Sequence, residues 1–219
     1  MSERVVIIGA GGHARELYAY VDDLIRTGWE GKLLGFLDDG LSPGKHGSLE
    51  VLGAIGCLAK LNGGGCSYIT ALGHNRTRRN LVERVRETAP RAQAWSLIHP
   101  SAYTGDHVEI GEGTCLAPGA IVTARAKIGR HCILNVKASV SHDCVVGDFA
   151  NINPGATVCG TVQIGEGAYI GAGAVVKERV SIGAWTIVGA GAVVVRDVPA
   201  NVTAVGVPAR IIKHHEIGR

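Results

Sequence analysis

The chain has 219 residues, and its 22 Lys and Arg exceed its 19 Asp and Glu by a small margin spread along its length, which argues against a nucleic-acid groove or a basic arm. No apolar run reaches the ~18 residues of a membrane span and the start "MSERVVIIG" is not a secretory signal, so a soluble, cytoplasmic protein without membrane contact is expected. Aromatic residues make up only 5% of the chain while glycines number 32, so the core must be filled by many small aliphatic residues, as in a repetitive architecture.

The first hundred residues alternate strand and helix patterns. "RVVIIGA" reads as a buried strand, "GGHARELYAYVDDLIRTG" as a glycine turn into an amphipathic helix, and "KLLGFLDD" as a second strand ending in paired carboxylates. "CSYITALGHN" reads as a third strand, and "RTRRNLVERVRETA" as a helix ended by Pro90. A small parallel α/β domain over residues 1–100 is predicted, with ligand-binding loops at the C-terminal ends of its strands. Gly9, Gly11 and Ala14 satisfy the GxGxxA form of a dinucleotide fingerprint, with Asp38 at the end of the second strand. The segment has room for only one mononucleotide-binding half, which favours a single nucleoside diphosphate near the first helix over NAD; a glycine turn that merely packs helix on strand is the bland alternative. Asp38 and Asp39 read either as base or ribose ligands or as a solvated turn before Gly40. Gly73, His74, Asn75 and Arg76 offer amides and a guanidinium at the end of the third strand, whereas Arg78 and Arg79 read as the polar face of a helix.

From Ile110 to Val194 every sixth residue is aliphatic, fifteen positions without a slip. Two residues before each runs a second ladder of small or β-branched residues, from Val108 and Thr114 to Ala192. Inward positions two apart are strand-like, and a turn every six residues gives three short strands per coil, so residues 101–219 are predicted to form a triangular β-helix of about five coils. Glycine commonly follows the aliphatic position (Gly111, Gly129, Gly147, Gly165, Gly183), where a corner is expected to need permissive backbone angles. Six cysteines (Cys57, Cys66, Cys115, Cys132, Cys144, Cys159) include no CxxC pair, so neither a zinc knuckle nor a redox pair is expected. Cys132 and Cys144 fall on the inward small ladder and are read as structural.

Within the hexads, His142 and Asp143 follow the inward Val140 by two and three places and so belong to a turn. An imidazole beside a carboxylate can serve as a general base; a lone turn histidine can equally be solvent-facing.

Taken together, "IIGAGGHARE", "GFLDD", "ALGHNRTRR", "NVKASVSHDCVVGDFANINPGATVCGTVQIG" and "DVPANVTAVGVPARIIK" resemble the sialic acid O-acetyltransferase and bacillosamine N-acetyltransferase group of sugar acetyltransferases, over essentially the whole chain. The resemblance implies a left-handed β-helix, whereas the general crossover rule would give the opposite hand. It also implies a homotrimer with acetyl-CoA between prisms, no metal, and a place in O-antigen biosynthesis. His142 matches the family's base and Asp143 the acid that orients it, and Asn135 matches an asparagine at the sugar end. Gly160, 18 residues beyond His142, matches the amide that meets the thioester oxygen. Ala172 and Ala190 match backbone contacts to pantetheine, and "GVPAR" lies where the CoA nucleotide is expected. Gly11, Gly12, His13, Asp38, Asp39 and Gly73 match the nucleotide-sugar pocket. Asn151 stands where several members carry a second histidine; an asparagine still hydrogen-bonds the coenzyme but shuttles no proton near neutral pH.

The implied activity is N-acetylation of a nucleotide-linked amino sugar of the perosamine or bacillosamine type. A sugar O-acetyltransferase and a non-catalytic nucleotide-sugar-binding prism are the alternatives. A γ-type carbonic anhydrase shares the prism, but His107, His131 and His142 do not differ by multiples of 18 and so do not stack on one face.

Overall fold

The structure, a computed structural model, describes residues 3–63 and 65–216. The chain divides into two compact units, Met1–Pro100 and Ser101–Arg219.

In the first unit, strands β1 (Arg4–Ile8), β2 (Lys32–Leu37), β3 (Gly44–His46), β4 (Leu49–Gly53) and β5 (Cys66–Thr70) form one sheet in the order β3-β4-β2-β1-β5. The β2, β4 and β5 strands run parallel to their partners, and β3 pairs antiparallel with β4 as an edge hairpin. Helices α1 (Gly12–Arg26), α2 (Leu58–Asn62) and α3 (Asn75–Thr88) complete the unit. Val5 to Ile8 are fully buried because β1 lies at the centre of the sheet. Its neighbours β2 and β5 leave in opposite directions, so the loops after β1 and β5 face each other at the switch point of the strand order. The sequence pattern anticipates β1, α1, β2, β5 and α3. It does not reveal the β3–β4 hairpin, whose polar edge strand "GKH" carries no alternation and lies inside a Gly- and Ser-rich run.

The second unit is a left-handed parallel β-helix. From Tyr103 to Val194 each strand has only two residues, and strands 18 residues apart pair, as Ser139 does with Thr157 and Lys127 with Val145. Ile121–Val122 and its repeats form one face and Lys127–Ile128 and its repeats the second. Ile133–Leu134 and its repeats form the third, which Val202–Val205 and the antiparallel Arg210–His214 extend. From Thr114 to Val194 both predicted ladders are buried without exception. Val108 and Ile110 are only partly buried, since they belong to the opening coils. Cys132 and Cys144 are fully buried on the inner ladder, and burial raises the Cys144 thiol above its usual range. A substitution such as Leu134→Ala should leave a dry cavity in a stack with no room to relax. We expect a loss of about 3 kcal/mol, read from denaturant unfolding.

The corners differ from expectation. The left-handed backbone angle falls three residues after the aliphatic positions from Ile110 to Val188, at Arg125, His131, Lys137, Asp143, Phe149, Thr161, Arg179 and Trp185 as well as at glycines. From Arg125 onward each such turn is held by an N–H donated to the coil before it, for example Asp143 to Ala124 O at 3.1 Å and Thr161 to His142 O at 2.9 Å. Gly111, Gly129 and Gly147 serve a different need, which is room. A Cβ on any of them would lie 2.6 Å from backbone atoms of the next coil.

Candidate functional site

Three edges run along the prism, each a stack of corners 18 residues apart. One carries Arg125, His142–Asp143 and Gly160–Thr161. A second carries Asn135, Ala172 and Ala190, and the third Arg130–His131, Asp148–Phe149 and Trp185. Within one chain, then, the structure brings His142, Asp143 and Gly160 together and leaves Asn135, Ala172 and Ala190 on a different edge.

His142 projects into solvent, its side chain 59% exposed. Its Nδ1 lies 2.8 Å from Asp143 Oδ2. A carboxylate only accepts, so Nδ1 carries the proton and Nε2 is left as the basic atom. Asp143 also accepts from Arg125, at 2.7 Å from Nε to Oδ1 and 3.0 Å from Nη2 to Oδ2. The Arg125 guanidinium first, then the His142 contact, hold the Asp143 carboxyl down to about 2 from its ordinary 3.8. Because the folded value is the lower one, any stability this contact adds is present above about pH 4 and lost as pH falls through about 2. The carboxylate is therefore ionised wherever an imidazole titrates. Gly160 lies against the ring: a Cβ there would stand 2.6 Å from His142 Cε1 and Nε2. Its N–H, like those of Ala172 and Ala190, donates to no group among the described residues.

Asn135 turns its Oδ1 onto the N–H of Val136 at 2.7 Å. Asn151 lies on a sheet face rather than an edge and is 3% exposed, between the buried Ile133 and the more exposed Tyr169. His131 is buried and stacks on Phe149 with ring centroids 5.3 Å apart, on a different edge from His142. Among the described residues no group of three or more His, Cys, Asp or Glu is placed to hold a metal ion.

In the first unit, Gly11 caps α1 and Gly12 begins it, with no side-chain cap and no acidic residue in the first turn. A Cβ on either would meet nothing within 4 Å, so the helix N-terminus is open to an anion. His13 follows, its Nδ1 2.8 Å from Glu16 Oε2 and its buried Nε2 without a partner among the described residues. Asp38 braces this turn rather than standing free, since Oδ2 accepts from Ala10 N–H at 2.9 Å and Oδ1 from Gly40 N–H at 2.8 Å. Asp39 accepts from Ile55 N–H at 3.0 Å and from Arg84, and these contacts lower its carboxyl below the usual range. Gly73 is exposed in the loop after β5.

Arg78 corrects the sequence reading. It is 1% exposed, and its Nη1 donates to Leu72 O at 2.7 Å and reaches Gly73 O at 3.4 Å. A helix-periodicity argument assigns it to the polar face; what it satisfies is the loop carbonyls after β5, which no local pattern shows. Arg78→Met should remove these donors while keeping the stem packed. We expect a loss of about 2 kcal/mol in stability, with any nucleotide affinity falling in the same variant, read by calorimetry.

Two family matches and several solved structures agree with this geometry. Residues 4–85 match the PglD N-terminal domain, and residues 161–196 match the six-repeat bacterial transferase hexapeptide family. The acetyltransferase domain of PglB from Neisseria gonorrhoeae superposes with a TM-score of 0.88 at 32% identity, covering 96% of this chain and 100% of that one. The chain belongs to this acetyltransferase family. Its members also include PerB from Caulobacter crescentus, solved with CoA and GDP-perosamine, at 37% identity and a TM-score of 0.86, with 95% of this chain and 97% of that one covered. WeeI from Acinetobacter baumannii matches at 31% identity and a TM-score of 0.76, covering 96% of this chain and all of its own. No curated protein matches in sequence. As an acetyltransferase of this family, the chain keeps both units of its relatives over their whole length.

Proposed function

We propose that this acetyltransferase transfers the acetyl group of acetyl-CoA to the amino group of a nucleotide-linked amino sugar, of the perosamine or bacillosamine type. The observation that carries the reading is the His142 edge: an exposed imidazole whose Nδ1 is held by Asp143 and whose Nε2 faces the Gly160 corner. The neutral amine attacks the thioester carbonyl, His142 Nε2 takes the ammonium proton as the tetrahedral intermediate forms, and the C–S bond breaks to release CoA. The Gly160 N–H receives the developing oxyanion. The open N-terminus of α1, His13 and the Gly73 loop take the nucleotide, with Asp38 and Asp39 shaping the turns around it.

A homotrimer completes the site. The His142 edge and the edge carrying Asn135, Ala172 and Ala190 are separate in one chain, so a threefold arrangement sets one against the other between neighbouring copies. Pantetheine lies along Ala172 and Ala190, with Asn135 at the acceptor end and Asn151 as a hydrogen-bonding partner of the coenzyme. The reading assigns the enzyme to the cytoplasm, where nucleotide sugars and acetyl-CoA coexist, and to O-antigen sugar assembly. No helix among the described residues is long and apolar enough to cross a membrane.

The test is a panel of nucleotide amino sugars and hydroxyl-only nucleotide sugars with acetyl-CoA, followed by free thiol release. Release with an amine-bearing member alone is expected. Release with hydroxyl acceptors alone would make the enzyme an O-acetyltransferase. Tight binding without release from any acceptor would make it a non-catalytic prism.

A further inference from the structure

Asp143 does not hold His142 alone. Arg125 and Asp143 occupy the same corner position one coil apart, both in the left-handed conformation, with φ of 59° and 58°. Equal backbone angles at an 18-residue spacing send the two side chains out in parallel, one strand spacing apart, which a guanidinium–carboxylate fork spans. Both nitrogen contacts are made, at 2.7 and 3.0 Å. The backbone beneath is fixed as well, by Asp143 N–H on Ala124 O at 3.1 Å and Thr161 N–H on His142 O at 2.9 Å.

We propose that Arg125 is a positioning residue for acyl transfer, locking the Asp143 carboxylate in the orientation from which it accepts the His142 Nδ1 proton. Resting on the assignment of His142 as the base, the proposal adds a device that sets the imidazole's direction. Asp143 carries a short side chain adjacent in sequence to His142, and its oxygens are free to rotate about the terminal bond. The two-point contact removes that rotation. It leaves Oδ2 shared between Arg125 Nη2 and His142 Nδ1, so the carboxylate plane and the ring are set together. The exposure of the pair, 63% for Arg125 and 35% for Asp143, makes it a poor source of stability and so a poor candidate for a purely structural role.

The guanidinium is the charge that meets Asp143 from the coil before it on this edge. The coil above adds no charge here, since it presents Gly160 and Thr161. Cys144 and Cys159 flank Asp143 in the adjoining strand and corner, and burial raises the Cys144 thiol. Asp106 and His107 two coils below, Lys177, Glu178 and Arg179 two coils above, and Arg196 and Asp197 three coils above complete the charged or titratable groups of this edge.

The experiment compares Arg125→Gln, Arg125→Lys, Asp143→Asn, the double variant Arg125→Gln/Asp143→Asn and His142→Ala, all in the full-length protein. Steady-state kinetics use acetyl-CoA and whichever nucleotide amino sugar of the panel is turned over, and a thermal melt checks folding. Arg125→Gln should lower kcat roughly fivefold with both KM values unchanged, the scale of one contact-pair coupling. Arg125→Lys should restore only part of kcat. In the Asp143→Asn background Arg125→Gln should have no further effect. An unchanged kcat in Arg125→Gln, or effects that simply add in the double variant, would overturn the proposal while His142→Ala still showed the base to be required. Full turnover by His142→Ala would overturn both.

Discussion

His142→Ala is expected to lower kcat by about a hundredfold or more while calorimetry shows acetyl-CoA and nucleotide-sugar binding unchanged. The geometry makes the two readouts separable. The ring is 59% exposed and packs on no core residue, so its removal leaves the ladders intact. What disappears is the one basic nitrogen on this edge whose partner proton is already directed onto a carboxylate. Near-normal turnover would mean that the arriving amine needs no protein base and that the imidazole only shapes the site. His142→Gln is a useful companion, because it keeps a polar group of similar reach but accepts no proton near neutral pH.

Gly160→Ala should cost more than tenfold in activity at almost constant stability, a separation that few glycine substitutions offer. The backbone at Gly160 is not in the left-handed region, so alanine meets no conformational strain. The atoms nearest the new Cβ are those of the His142 ring, at 2.6 Å. The imidazole must swing away, and in doing so it gives up the 2.8 Å contact with Asp143. The melting temperature should stay within about 2 °C, while kcat falls. By contrast, Gly147→Ala would drive a Cβ into backbone 2.6 Å away and should act on folding. Gly147 directly follows a ladder residue and meets the next coil's backbone, whereas Gly160 stands two after one and meets the His142 ring. Unchanged activity in Gly160→Ala would show that the ring is free to sit elsewhere during turnover.

The period of six is legible in sequence because a β-helix repeats its environment. Each inward position meets the same neighbours one coil above and below, so selection for burial acts at a fixed spacing and leaves fifteen matching residues. The first unit is legible for a different reason: buried central strands and an amphipathic helix have their own local periods, as in "RVVII" and Gly12–Arg26. Where the environment is set by remote chain, the local pattern fails. Arg78 looks like a surface residue of α3 until the carbonyls of Leu72 and Gly73 are seen at its fork. The corner glycines look like turn residues until the next coil is seen to leave no space for a Cβ.

The candidate site divides in the same way. His142 and Asp143 are adjacent, and an imidazole beside a carboxylate in a turn is visible without coordinates. Gly160 is found by counting one coil of 18. Arg125 is missed because an arginine in "TARAK" has no local mark of function, although the same count of 18 leads from it to Asp143. Its role depends on two left-handed corners lying in register. Asp38 and Asp39 were open between ligand contact and turn, and their oxygens are found on backbone N–H groups and Arg84.

By itself, then, the sequence determines the two-unit division, the prism, the glycine turn and the imidazole–carboxylate pair, because each is encoded by burial periodicity or by residues next to one another. Only the tertiary structure decides which side chains meet across coils and loops: Arg125 with Asp143, Gly160 with the His142 ring, Arg78 with the carbonyls beyond β5. Those contacts depend on strand register and on the 18-residue return of the chain, which bring together residues whose types alone carry no sign of their partners.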